Sequence, residues 1–474
     1  MKIKNIFIKL VFGLAFFIVF IGLIHGAFFI WKITEVENKI NVKNDNSASF
    51  FGTFKNIVVP NKINLEKANG ERINILLLGI AGKGKPGSNL ADTIMIASLN
   101  TKTGKVALLS IPRDLYAEVP NTGYENKINT IYGYGLGSYP ENSEKSMEPM
   151  KAMIKNITSL DIDYWVVLNF DGFQKAIDAI GGINITSERD IYDPKYPGPN
   201  YSYEIFELKK GFHHLDGATA LKYARMRHDD PESDFGRAKR QQQVMQAVKN
   251  KIFSTGTLLN AVALNQLLNV LGENVKTNIS SSELEDFIKL ARKLDTDNIN
   301  NIVLDAWKSD SLLKGSRIYQ TSALIPRIGN WSEVQDIAQN IFDTNEIKRT
   351  REEIAKENAS VILINKSGNE LVLKRLTALL KDSFGYKNVV VLSDFGKSLE
   401  NETFVYDLTG KNKPFTLNEL IKKLPAKTSE NLDAKYKKLI GNVSTDLVLV
   451  IGKDLIPRYS LAEVSFKDYN EDEN

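Results

Sequence analysis

Four arginines, Arg225, Arg227, Arg237 and Arg240, flank a short acidic loop in the stretch LKYARMRHDDPESDFGRAKRQQQ, with Lys222, His228 and Lys239 among them. Arginines that only solubilise a helix are spread among acidic partners at i,i+4 spacing. These fall into two clusters separated by a turn. A planar guanidinium stays charged and grips phosphate oxygens two at a time. A pyrophosphate, with several negative oxygens, suits such a cluster, each charge-assisted contact contributing about 1.5–3 kcal/mol. SIPRDLY (110–116) adds Arg113, beside Asp114, at the end of an apolar run, so three separate segments end in arginine. Pairing with Asp229, Asp230 and Glu232 is the alternative, and spacing alone leaves it open.

These side chains need elements to hold them. INILLLGI (73–80), TIMIASLN (93–100) and KVALLSIP (105–112) are runs of apolar and β-branched residues, the pattern of strands buried on both faces. YWVVLNF (164–170) is a fourth strand, followed by a helix over 171–182 capped by Asp171 and stopped by Gly181-Gly182. Arg113 then sits at the C-terminal end of a strand, where open α/β sheets form crevices, and Asp92 at the start of the strand before it. ATALKYA (218–224) reads as a helix with Arg225 and Arg227 emerging at its end. With Asp234 as N-cap, Arg237, Arg240 and Gln241 share one face of the next helix, which buries Val244, Ala247, Val248 and Ile252 on another. Strands and helices alternate to about residue 345, giving an α/β class with a central mixed sheet covered by helices.

The loop GIAGKGKPGSNLADT (79–93) holds two tempting motifs. Gly79-x-x-x-x-Gly84-Lys85 is most of a nucleotide-binding P-loop, but the next residue is Pro86, which has no hydroxyl for Mg²⁺ and no N–H to donate. Gly82-x-Gly84-x-x-Gly87 spells a dinucleotide fingerprint, yet the chain enters a strand rather than the helix that must receive the pyrophosphate. What remains is a flexible loop carrying Lys83 and Lys85 beside a site.

Composition narrows the rest. The chain has 474 residues, 25% charged, with a net charge of +4, too small to argue for nucleic acid; any basic site is local. Without cysteine there is neither a disulfide framework nor a thiolate metal site. Only four histidines are present, and the pair in HHLDG reads as structural. Leu10–Trp31 is a nearly unbroken apolar stretch, about 33 Å long as a helix, enough to cross a bilayer core of about 30 Å. Lys2, Lys4 and Lys9 precede it, which places residues 1–9 in the cytoplasm and everything after Trp31 outside. It is too long for the usual signal-peptide core and lacks a small-x-small cleavage site, so it reads as a single-pass membrane anchor. Residues 32–69 form a polar stalk, 70–345 the main domain and 346–358 a charged helical hinge. A small α/β module follows over 359–456, and 457–474 is an acidic tail.

NILLLGI…DTIMIASLNTKTGKVALLSIPRDLY, KINTIYGYG, YWVVLNFDGFQKAIDAIGGINI and GFHHLDGATALKYARMRHDD…SDFGRAKRQQQV together resemble the LytR-CpsA-Psr family over roughly residues 70–345. The final module is similar to the C-terminal domain that often accompanies it. The resemblance implies a membrane-anchored phosphotransferase that takes a glycopolymer (teichoic acid, capsule or similar) carried on polyprenyl pyrophosphate. It attaches the polymer through its phosphoryl end to peptidoglycan, with Mg²⁺. By position, Arg113, Arg225, Arg227, Arg237 and Gln241 match the family's pyrophosphate-binding residues, and Asp92 a metal ligand. Arg113 and Asp92 would carry the catalysis. The isoprenoid would need an apolar tunnel.

This chain departs from the family at two places. Ala81 stands where a second metal-binding Asp is expected, and Ala91 where an Arg is common. Lys83 and Lys85 could supply positive charge instead. A non-catalytic polyprenyl-phosphate-binding scaffold and a lipid pyrophosphatase are therefore kept as alternatives. Since every apolar run after Trp31 is short and bounded by turns, a chain beginning near Asn69 is predicted to be soluble and folded without detergent. Expression of that fragment and gel filtration check it, and aggregation in the absence of detergent would overturn the single-span topology.

Overall fold

The computed structural model describes residues 70–198, 202–226, 299–307, 311–392, 398–424, 426–465 and 468–469, with single positions between 236 and 295. The anchor and stalk expected over 10–69, and the acidic end from 470 onward, lie outside them. Among the described residues, no helix is long and apolar enough to cross a membrane. The chain divides into two compact units: residues 70–113, 129–151 and 161–303 in the first, and 114–128, 152–160 and 304 onward in the second. Val303/Leu304 is therefore the main division, ahead of the segment 346–358 read as a hinge.

In chain order the first strands are β1 (Arg72–Ile80), β2 (Ala91–Asn100), β3 (Val106–Ile111), the short pair β4 (Tyr116–Val119) and β5 (Tyr124–Lys127), and β6 (Tyr164–Asn169). Helix α1 (Phe170–Ala179) follows, then β7 (Ile183–Ser187), β8 (Ile191–Pro197), β9 (Tyr203–Leu208), β10 (Gly211–Leu215), helix α2 (Gly217–Arg225), β11 (Val275–Thr277) and β12 (Ile299–Val303). The first unit is built on a six-stranded mixed sheet of order β11-β6-β1-β2-β3-β12. β1 runs antiparallel to β2 and parallel to β6, while β3 runs antiparallel to β2 and parallel to β12. Alternation sends Ile73, Ile75 and Leu77 into one core with Phe287 and Leu290, whereas Leu76 and Leu78 are buried from the other side. Full burial of each such side chain contributes about 1.5–3 kcal/mol, so both faces must stay covered.

Helix α1 departs from the sequence reading at its start. Asn169, not Asp171, is the cap: its side chain accepts from the Gly172 N–H at 2.8 Å. Asp171 is one turn position too late to cap and lies in the first turn instead, where a carboxylate favours the helix dipole. The expected stop holds, with Gly181 and Gly182 at φ of 75° and 73°. Helix α2 is capped by Asp216, which accepts from Thr219 N–H at 2.8 Å.

The second unit carries the hairpin β13 (Leu313–Ile318)–β14 (Thr321–Pro326), helices α3 (Ser332–Gln339) and α4 (Asn345–Glu357), then β15 (Ser360–Asn365), β16 (Asn388–Leu392), β17 (Phe404–Asp407), helix α5 (Pro414–Lys423), β18 (Lys427–Ser429) and β19 (Leu447–Ile451). Its five-stranded sheet has the order β16-β15-β19-β17-β18. The segment read as a hinge is α4, and it is fastened at its middle and at its C-terminal end. Glu357 accepts from the N–H groups of Phe415 and Thr416 at 2.9 and 2.7 Å, capping α5. Arg351 reaches Glu419 at 3.3 Å. Glu333 is held by both arms of Arg327 at 2.9 Å and by Lys423 at 3.3 Å, while Glu419 takes Lys423 and the Tyr386 hydroxyl, each at 2.7 Å.

Burial alone would push the Glu333 carboxyl up, but Arg327 and Lys423 outweigh it and leave it below its ordinary value. A depressed carboxyl stabilises the fold above its unfolded pKa and loses that contribution as pH falls through the lower folded one. Glu333→Ala, which takes the carboxylate from the largely buried Arg327 and leaves Lys423 with Glu419 alone, is expected to cost the second unit about 3 kcal/mol. Calorimetric melting should show the wild-type second unit weakening below about pH 4 and the variant lacking most of that acid dependence.

Candidate functional site

Four strand ends meet at one edge of the first sheet. Gly79 of β1 lies opposite Thr93 of β2 and beside Leu168 of β6, and Ile80 lies opposite Ala91 and beside Asn169. The register therefore skips Asp92, the extra residue of a β-bulge, a device that re-aims a side chain out of the ladder. β3 ends opposite Ile94, so Arg113, two residues on, arrives next to Asp92, and its Nη1 lies 3.1 Å from Asp92 Oδ1. Glycine at 79 avoids a tight contact, since a Cβ there would stand 3.0 Å from that of Thr93.

The loop between β1 and β2 turns on three glycines, Gly82, Gly84 and Gly87, all at positive φ. It runs into β2 and opens no helix, which removes both nucleotide-binding readings. A Cβ at Gly82 would be 2.9 Å from that of Asn169, so the loop packs closely over the cap of α1. Lys83 is exposed, and the Lys85 ammonium is 2.5 Å from Asp171. Neither lysine lines the pocket described next.

That pocket, about 270 Å³, has an apolar lining that includes Leu77, Leu78, Met95, Leu168 and Phe173. It is small beside the usual ligand pocket of about 300–1,000 Å³. Its polar groups converge from separate elements: Asp92 and Arg113 from the strand ends, Asp193 and Tyr196 from β8, Arg225 from the end of α2, and Arg237 with Gln241 one helical turn apart. Among the described residues, Arg225 has no carboxylate partner. Its guanidinium carbon lies over the Phe170 ring at 4.3 Å and the Tyr196 ring at 5.8 Å, and Nη1 donates to Tyr196 Oη at 3.3 Å. Burial pushes the Tyr196 hydroxyl above its ordinary value, with the Arg225 charge opposing.

Five of the residues singled out from the sequence thus gather here: Asp92, Arg113, Arg225, Arg237 and Gln241. Arg227 lies outside the described residues, as does Asp234. Arg240 parts company with its neighbours. It is buried, its Nε donates to the Tyr223 carbonyl at 3.0 Å and its Nη2 to that of Met226, so it satisfies carbonyls at the end of α2. His213 and His214 bond Lys209 O and Asn184 Oδ1, structural contacts as expected. Sequence reasoning missed Phe170, Asp193 and Tyr196. A signal existed for Asp193, which shares the inward alternation of Ile191 on β8; the rings carry no local mark.

The arrangement can take an amphiphile with an anionic head, cations at one end and apolar wall behind. For a metal, Asp92 and Asp193 are the carboxylates of the lining, and among the described residues no three His, Asp or Glu side chains gather. Mg²⁺ commonly takes one or two carboxylates and completes its shell with phosphate oxygens and water, which this donor set fits. Ala81 and Ala91 are buried, at 4% and 0% exposure, and offer no donor.

An α/β unit with a cationic pocket at a sheet edge is the class so defined. The LytR_cpsA_psr family matches residues 29–327, and the chain belongs to that family. It is 31% identical over 222 residues to the polyisoprenyl-teichoic acid–peptidoglycan teichoic acid transferase TagU of Bacillus cereus, covering 47% of this chain and 65% of the relative. To the protein of the same name from Bacillus anthracis it is 30% identical over 249 residues, covering 51% and 74%. The chain thus spans about two thirds of the length of these relatives. The crystal structure of Bacillus subtilis TagU is 26% identical, with a TM-score of 0.39 over 59% of this chain and 96% of that one.

Gly82→Ala combines positive φ with the clash on Asn169, whereas Gly84→Ala meets open space at a similar φ. Both should lose about 1–2 kcal/mol from backbone strain, and Gly82→Ala should lose measurably more. Thermal melts of the two variants, compared directly, isolate the loop's contact with the cap of α1.

Proposed function

We propose that this chain is a membrane-anchored phosphotransferase that attaches a polyprenyl-pyrophosphate-linked glycopolymer to peptidoglycan. One observation carries it: Arg113, Arg225, Arg237 and Gln241 line one pocket together with Leu77, Leu78, Met95, Leu168 and Phe173. The names of the relatives, transferases of teichoic acid from a polyisoprenyl carrier to peptidoglycan, support the same reading.

The acceptor hydroxyl oxygen forms a bond to the phosphorus next to the polymer. The bond from that phosphorus to the bridging oxygen breaks, polyprenyl phosphate leaves, and the hydroxyl proton passes to solvent or a nearby base. Such a transfer needs positioning and charge neutralisation more than covalent help. Arginine suits it, because its fork stays charged and binds two oxygens. Asp92 would hold Mg²⁺ together with the phosphate oxygens, the metal offsetting negative charge there. Arg227, two residues after Arg225 in sequence, would add a further cation. The apolar segment 10–31 would keep residues after Trp31 outside the cell and near the lipid carrier. The second unit carries none of the residues assigned to the pyrophosphate and serves placement rather than chemistry.

A second reading, binding without transfer, is favoured by Ala81 and Ala91. The deciding assay incubates the full chain with lipid-linked polymer and peptidoglycan and scores covalent attachment. Attachment in the presence of Mg²⁺ is expected, with loss in EDTA. Arg225→Lys and Arg227→Lys should each cut turnover about tenfold or more while the melting temperature stays within about 2 °C, since an ammonium cannot reproduce the two-point contact. Release of free polymer without attachment would instead indicate a pyrophosphatase, and binding with neither product a scaffold.

A further inference from the structure

Arg225 is held differently from two other partly buried arginines. Arg113 is pinned by Asp92, and Arg327 by both oxygens of Glu333. A carboxylate fixes a guanidinium but also cancels its charge. An aromatic face fixes it through the ring quadrupole and leaves the charge and the N–H edge available. Among the described residues around Arg225 there are two such faces, Phe170 at 4.3 Å and Tyr196 at 5.8 Å, and one neutral hydrogen bond, to Tyr196 Oη.

We propose that Phe170 and Tyr196 are positioning residues that hold the Arg225 guanidinium in place, charged and uncompensated, for the anionic head of the ligand. This rests on the pyrophosphate reading of the site. Both rings are themselves fixed. Phe170 is the first residue of α1, directly after β6, where strand pairing ends at Asn169 and the Asn169 cap sets the turn. Tyr196 is 3% exposed and packs on Phe206 with centroids 5.9 Å apart. Lys222, which also lies over the Tyr196 ring, has its ammonium 2.9 Å from Glu204, so it does not compete for the anion. Arg225 is a long side chain with considerable rotamer freedom, and pre-ordering it lowers the cost of binding.

The test uses the full chain in detergent and calorimetric titration with farnesyl pyrophosphate and with farnesol, the same tail without the anion. Phe170→Leu should weaken farnesyl pyrophosphate about tenfold and leave farnesol within about twofold. Phe170→Tyr, which keeps the face, should bind like wild type, and Tyr196→Phe should show a smaller loss confined to the pyrophosphate. Equal binding of farnesyl pyrophosphate by Phe170→Leu and wild type would overturn the proposal. So would an equal loss of farnesol, which would make Phe170 a wall for the tail. Should Phe170→Leu fold poorly, Phe170→Met decides on the same two ligands. If Arg225→Ala binds farnesyl pyrophosphate normally, the pyrophosphate reading itself fails, and this inference with it.

Discussion

The strand ends of the first sheet answer to one electrostatic constraint: several guanidinium groups sit close together, and each must be accommodated. Two unit charges about 8 Å apart, in surroundings of effective dielectric about 20, repel by about 2 kcal/mol. The chain meets this separately for each arginine. Asp92 compensates Arg113 directly. Backbone carbonyls at the end of α2 take Arg240, spending its charge on the fold. Among the described residues Arg225 is given ring faces and a hydroxyl and no carboxylate, so its charge stays uncancelled. The same residue type therefore does three jobs within twenty residues of α2 and the helix after it, together with the end of β3.

That arrangement depends on backbone detail as much as on charge. Asp92 leaves the strand ladder because the register of β1 and β2 slips by one at Gly79 and Ile80. Phe170 reaches the pocket because β6 passes into α1 with no intervening loop. The glycine loop closes over that junction, where Gly82 leaves no room for a side chain and Lys85 reaches Asp171. Lys85 stabilises this wall only weakly, since a half-exposed pair contributes about 0–1 kcal/mol. Its importance is geometric.

Much of this was legible in the sequence. The four long strands are apolar on both faces, a pattern with little ambiguity, and the arginine segments with Asp92 and Gln241 pointed to one site. The illegible parts share a cause: they depend on contacts between segments distant in sequence. Asn169 outranks Asp171 as a cap only because β6 pairs as far as residue 169 and α1 begins at once. Spacing put Arg237, Arg240 and Gln241 on one face, but Arg240 lies at its edge, close enough to turn toward the carbonyls of α2. Phe170 and Tyr196 look like core aromatics until Arg225 is seen between them, and the lysines of the glycine loop give no hint of Asp171, 86 residues ahead of Lys85.

The second unit shows the opposite use of the same residue types. There Glu333 and Glu419 are almost wholly buried, and Arg327, Arg351, Lys423 and the Tyr386 hydroxyl surround them. Such a network adds little net stability over an apolar core of the same shape, because desolvation of each charge offsets much of the attraction. What it does impose is geometry, since each carboxylate accepts from partners on different elements. It ties α3, α4 and α5 together around charges that are all satisfied. Satisfied charges have nothing to offer an anion. Among the described residues of the first unit, Arg225 is left without a carboxylate. The second spends Arg327, Arg351 and Lys423 on its own carboxylates, which fixes the packing of α3, α4 and α5.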